Sequence, residues 1–176
     1  MKRILIVVDM QNDFIDGALG TKEAVGIVDG AASKILGFEG RIFATLDTHG
    51  EDYLETAEGK KLPVPHCISG TYGWLLHEKV LYALSDKDYR TIEKPTFGST
   101  ALVEELRRIR EKEEIDVELF GLCTDICVVS NALLLKAHFP EMHISVDASC
   151  CAGVTPETHR AALETMKMCQ IDVIGG

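Results

Sequence analysis

The chain has 176 residues, 46% of them hydrophobic, which suits one domain over residues 1–176 that buries its own core without disulfides or a structural metal. Its formal net charge of -10 leaves too little basic surface to neutralise phosphates, so no nucleic-acid partner is expected. No apolar run approaches the about 18 residues of a membrane span and no cleavable leader follows Met1-Lys2-Arg3, so no membrane partner is expected and the location is expected to be cytoplasmic.

Residues 3–9 are a β-rich apolar run ending in Asp9, the pattern of a central parallel strand covered on both faces. A helix is predicted over residues 23–36, then a second strand over 41–47 that also ends in an acid, Asp47. Residues 48–71 are polar, contain Pro63 and Pro65, and show no periodicity; loops of that length usually carry function. A helix is predicted over 72–83, a strand over 89–94 stopped by Pro95, and an amphipathic helix over 99–113 capped by Ser99 or Thr100. Residues 115–122 alternate as a strand, and the apolar stretch 128–139 is too long for a loop and predicts a buried helix, with Thr124 or Asp125 as its cap. A strand over 143–147, a helix from Thr155 with Pro156 at its first position to about Cys169, and a last strand over 172–174 complete the chain. Six strands alternating with helices, without hairpin signals, predict an α/β fold. Its architecture is a three-layer αβα sandwich around a doubly wound six-stranded parallel sheet of Rossmann-like topology.

In such a sheet, ligands bind beyond the carboxyl ends of the strands. Asp9, Asp47 and Lys94 each end a strand, and Cys127 follows the fourth strand in Gly121-Leu122-Cys123-Thr124-Asp125-Ile126-Cys127. A thiol on the first turn of a helix faces unpaired N–H groups and the positive end of the dipole, which favour the thiolate. Lys94 is placed to stabilise that thiolate, and Asp9 to take the thiol proton and return it to a leaving amine. The Cys123 and Cys127 backbone N–H groups are the expected oxyanion donors. The spacings Cys123-x3-Cys127 and Cys150-Cys151 match no paired C-x2-C zinc knuckle, so the thiols are expected to be free.

Asp47-x-His49 followed by His66 offers a carboxylate and two imidazoles, a donor set suited to zinc, iron or manganese with positions left open.

The blocks Asp9-Met10-Gln11-Asn12-Asp13-Phe14, Lys94 after the third strand, and Gly121 to Val128 resemble the signature blocks of the isochorismatase-like cysteine hydrolases, in order and over nearly the whole chain. The resemblance implies catalytic roles for Asp9, Lys94 and Cys127 and a cis peptide in the turn before the helix. Asp47-Thr48-His49 and Pro65-His66-Cys67 resemble the metal-binding blocks of the nicotinamidase-like branch, which isochorismatase itself lacks. The implied activity is hydrolysis of nicotinamide to nicotinate and ammonia through a thioester on Cys127, with one divalent metal ion, a small-molecule amide substrate and a homo-oligomeric assembly. Some members complete the metal shell from the intervening loop, where Glu58 is the nearest acid and Glu55 stands behind it. Phe14 matches a ring-packing position of the family, and Phe97 is a second substrate-facing candidate. The chain departs from the nicotinamidase pattern at Leu62-Pro63-Val64-Pro65, where an aromatic residue is expected before the metal-binding histidine. Other readings stay open: a related hydrolase of another small amide, a carbamoyl compound or an isochorismate-like vinyl ether, and a non-catalytic metal-binding or thiol-sensing protein.

Overall fold

The computed structural model describes residues 1–176. Strands β1 (Lys2–Val8), β2 (Arg41–Asp47), β3 (Tyr89–Lys94), β4 (Ile115–Leu122), β5 (Ile144–Ala152) and β6 (Asp172–Ile174) form one sheet in the order β3-β2-β1-β4-β5-β6. All pairings are parallel. Ile4 to Val8 on β1 are all fully buried, although successive side chains point to opposite faces, so both faces of the sheet are covered. The helices are α1 (Asn12–Ile15), α2 (Lys22–Gly37), α3 (Glu78–Leu84), α4 (Thr100–Arg110), α5 (Val129–His138) and α6 (Pro156–Met168). They fall into two packed groups, α2 with α3, and α5 with both α4 and α6, which gives the expected αβα layering. No helix is long and apolar enough to cross a membrane.

The strand order reverses between β1 and β4, and the loops after these two strands therefore diverge around a crevice. Gly121 sits on this seam. Its φ of +133° is a conformation that residues with a Cβ rarely adopt, and a Cβ there would lie 2.1 Å from the Val8 carbonyl oxygen. Gly121→Ala is expected to lower stability by more than about 2 kcal/mol in denaturant unfolding, because strain and a backbone clash fall on the central strand pair.

Three segments depart from the sequence expectation. The helix predicted over 72–83 forms only as Glu78–Leu84, because the backbone before it is bonded elsewhere. Asn12 N–H donates to Leu75 O, Asp13 N–H to Gly73 O and His77 N–H to Met10 O, so that segment is a strap laid across the chain following β1. Strand β5 continues to Ala152, past the predicted end at residue 147, pairing again with β4 after a register shift between Leu119 and Gly121. The buried helix after β4 begins with a π turn, Thr124–Val128, before α5. Neither Thr124 nor Asp125 caps it: Cys123 occupies the cap position, and the Asp125 carboxylate instead accepts the Val154 N–H.

Candidate active site and metal centre

Strand register alone brings the charged residues together. Asp47 and Lys94 are direct partners at the ends of β2 and β3, and Val8, the residue before Asp9, pairs with Thr45 on one side and Gly121 on the other. Asp9 leaves β1 with φ +46°, a turn that aims its carboxylate back at β2, where Thr45 Oγ1 donates to Asp9 Oδ1 at 2.6 Å. The Lys94 side chain is fully buried, and its Nζ lies 2.7 Å from Asp9 Oδ2, 3.3 Å from Asp47 Oδ1, 3.0 Å from Thr96 O and 3.4 Å from Cys127 Sγ. One ammonium thus joins the thiol to both carboxylates.

Burial works against the charged form of Lys94, yet the charges of Asp9, Cys127 and Asp47 hold its pKa well above the ordinary lysine value. Burial pushes the Asp9 carboxyl above the usual range, against the pull of Lys94. It also pushes the Cys127 thiol well up, with Asp9 adding to the effect and Lys94 opposing it. The helix start favours the thiolate, whereas desolvation and the Asp9 charge act against it at Cys127, as burial acts against the ionised form of Asp9. Both groups sit within reach of one cation, an arrangement in which a proton can pass from sulfur to Asp9 while Lys94 steadies the charge left behind. Burial pushes the Cys123 thiol up to about 12 as well, and of the two sulfurs it is Cys127 Sγ that lies against Lys94 Nζ. The Leu122–Cys123 peptide is cis, as the family resemblance implied.

Asp47 turns its second oxygen away from Lys94. Asp47 Oδ2 lies 2.9 Å from His49 Nε2 and 3.4 Å from His66 Nε2, and these buried groups can offer donor atoms all within 4.8 Å of one another. Glu58 joins them from the long loop, with Oε1 3.8 Å from His49 Nε2 and 3.7 Å from His66 Nε2. His66 Nδ1–H donates to Val64 O at 2.8 Å, which leaves the Nε2 lone pair of the neutral ring facing the Asp47 oxygen. A lone pair opposed to a carboxylate needs a positive centre between them, a proton or a metal cation, and the O, N, N, O donor set fits a divalent transition ion. Glu55 takes no part in this cluster; it closes a short 3-10 turn, Tyr53–Glu55.

Phe14 is buried with its ring centroid 5.5 Å from that of His66. Phe97 is 42% exposed and lines a cavity of about 360 Å³ with Glu58, Leu62 and Thr96. Of its lining residues, Glu58 also faces both histidines, and the Thr96 carbonyl accepts from Lys94 Nζ. Tyr72 is 74% exposed and lines a different hollow, so it is not part of this site.

A family model described as the isochorismatase domain matches residues 3–175. The chain belongs to the isochorismatase family. Among its relatives, the nicotinamidase/pyrazinamidase of Mycobacterium tuberculosis is 28% identical over 184 residues, covering 98% of each chain. The crystal structure of nicotinamidase/pyrazinamidase from Bacillus subtilis superposes with a TM-score of 0.83 at 28% identity, over 98% of this chain and 99% of that one. Pyrazinamidase of Pyrococcus horikoshii, solved in complex with zinc, gives a TM-score of 0.78 at 27% identity over the full length of both.

Three residues that shape this isochorismatase-family site escaped sequence reasoning. Gln11 is fully buried; its Nε2 donates to Asp47 O and Trp74 O, and its Oε1 accepts Asp47 N–H, so it pins the end of β2 to the strap. Tyr53 is 1% exposed, donates to Leu62 O, and sets its ring edge-on to both histidines, with centroids 4.8 Å from His49 and 5.0 Å from His66. Asn131 on α5 donates to Cys127 O at 2.8 Å and to Phe97 O at 3.1 Å, and accepts Ser99 N–H, tying the Cys127 turn to the cavity wall. Gln11 stands in the block that follows β1, while Asn131 and Tyr53 are marked only as an asparagine inside a predicted apolar helix and a tyrosine inside a polar loop.

Proposed function

We propose that this isochorismatase-family chain is a metal-assisted cysteine amidohydrolase that converts nicotinamide and water to nicotinate and ammonia. The observation that carries this is the single buried ammonium of Lys94 in contact with Asp9, Asp47 and Cys127, which supports reading Cys127 as nucleophile and Asp9 as its base beside a metal-type donor set. The zinc-bound pyrazinamidase and the nicotinamidase relatives support the choice of metal and substrate.

In this reading Asp9 takes the Cys127 proton as sulfur attacks the carboxamide carbon, and the oxyanion is received by the Cys123 and Cys127 N–H groups. Collapse breaks the C–N bond, Asp9 delivers its proton to the leaving nitrogen, and ammonia departs from a thioester on Cys127. Asp9 then deprotonates a water that attacks the thioester, and the thiolate leaves with Lys94 as its counter-ion before regaining its proton. Asp47, His49 and His66, with Glu58 as fourth donor, would hold one divalent ion, zinc in the first instance, with iron and manganese as alternatives. Such an ion supplies an electrophilic anchor for a ring nitrogen, fixing the ring so that its carboxamide faces Cys127. Phe14 and Phe97 are the ring contacts. A homo-oligomer and a cytoplasmic location belong to the same proposal, with the exposed side chains of Tyr72, Leu75, Leu81 and Tyr82 offering an apolar surface for a second copy.

Purified protein is expected to release ammonia from nicotinamide and from pyrazinamide, to lose at least about tenfold of that activity on chelation, and to regain it with added zinc. No ammonia under any condition sinks the nicotinamide assignment. Leu62 at the cavity wall, where nicotinamidases are expected to place an aromatic ring, favours one second reading: the same cysteine chemistry on another small amide, which a panel of amides would reveal.

A further inference from the structure

The π turn that carries Cys127 is clamped from behind by the loop between β5 and α6 and by the first turns of α6. Thr124, the second residue after Leu122, is fully buried, and its hydroxyl has a single hydrogen-bond partner, His159 Nδ1 at 2.8 Å. Next to it, both carboxylate oxygens of Asp125 accept the Val154 N–H, at 3.2 and 3.1 Å. Gly153 lets the two segments close up: a Cβ at that position would stand 2.9 Å from the His159 Cβ and backbone nitrogen. Asn131 holds the far end of the same turn through Cys127 O. Between these anchors lie the Cys127 sulfur and N–H, and the Cys123 N–H stands directly before them.

We propose that His159 is a positioning residue for the hydrolysis, its Nδ1 fixing the Thr124 hydroxyl and through it the orientation of the turn that presents Cys127 and the oxyanion donors. This rests on the reading of Cys127 as the nucleophile. Thr124 directly follows Cys123, whose N–H is one of those donors, and stands three residues before Cys127, so a shift of the Thr124 backbone displaces the residues that carry the donor and the sulfur. Partial burial holds the imidazole below its ordinary pKa, which favours the neutral ring, and a neutral Nδ1 shares one proton with the Thr124 hydroxyl in either tautomer. Without the imidazole, a buried hydroxyl loses its only partner and the turn can settle elsewhere.

Asparagine places a polar atom where histidine has Nδ1, whereas glutamine places one near the Nε2 position, so the pair separates this hydrogen bond from bulk and polarity. His159→Gln and Thr124→Val are each expected to lower kcat for nicotinamide by about tenfold or more with KM within about twofold, since misplacement of a reacting group acts on the transition state. His159→Asn should recover most of the loss, and the double variant His159→Gln with Thr124→Val should fall no further than either single one. The rate of Cys127 alkylation by iodoacetamide, followed on the Cys127 peptide by mass spectrometry, is expected to drop with glutamine and return with asparagine. Equal behaviour of the glutamine variant and the unmodified protein in both assays overturns the proposal, as do equal losses with asparagine and glutamine. If the unmodified protein does not hydrolyse nicotinamide, the substrate reading fails, and the alkylation rates alone decide the role of His159.

Discussion

Cys127→Ala is expected to reduce amide turnover by at least about 10⁴-fold in kcat, with the protein still folded and still binding metal. The size of the loss follows from the removal of the only atom that forms a bond to substrate; residual rate would come from binding and oxyanion stabilisation alone. The structural cost is small. Cys127 is a small buried side chain, and Lys94 keeps Asp9, Asp47 and Thr96 as partners when the sulfur is gone, so unfolding free energy should change by no more than about 1 kcal/mol. The metal donors Asp47, His49 and His66 share a cluster that does not include the sulfur, so metal content should be unchanged. Full activity in this variant, together with loss of activity on metal removal, would transfer the chemistry from the thiol to the metal centre.

Lys94→Met is expected to cost about 3–5 kcal/mol of stability near neutral pH as well as nearly all activity. Methionine fills a similar volume but leaves Asp9 and Asp47 buried without their shared cation, and breaking a buried ion pair from one side strands the remaining charge. The pH dependence has a definite sign. Burial already raises the Asp9 pKa in the folded state, and without Lys94 the rise is larger. A carboxyl whose folded pKa lies above its unfolded value contributes stability below the unfolded value, and loses it as pH rises through the folded one. The deficit of the variant should therefore shrink as pH is lowered towards the unfolded carboxylate range and widen as pH rises. Denaturant unfolding of both proteins across that range measures it; a deficit that grows on acidification would contradict the ion-pair account.

The strands were legible because their signal is local. β2, β3, β4 and β6 fall on the predicted residues, since runs of β-branched and aromatic residues bounded by Gly, Pro or acids leave few alternatives. Their parallel order then brought Asp9, Asp47, Lys94 and Cys127 to one edge by topology. The failed helix over residues 72–77 has the opposite cause: its backbone groups bond to residues 10–13, some sixty positions earlier, and no local pattern records that. The same holds for Gln11, Tyr53 and Asn131, whose roles lie in side-chain bonds to distant carbonyls. Asp47 and His49 could be read as metal donors from their spacing, whereas Glu58 was one acid among several in a polar loop until folding brought it within 4 Å of both histidines. At Cys127 the helix start is visible in sequence, whereas the near-complete desolvation that opposes the thiolate is not.

The central claim is that Cys127 forms an acyl-enzyme from a small aromatic amide, and partitioning with hydroxylamine tests it most directly. Nicotinamide and methyl nicotinate should pass through the same thioester, so the ratio of nicotinohydroxamate to nicotinate at a fixed hydroxylamine concentration should be identical for the two substrates and both products should vanish in Cys127→Ala. A ratio that depends on the leaving group, or hydrolysis that persists without Cys127, would contradict the account.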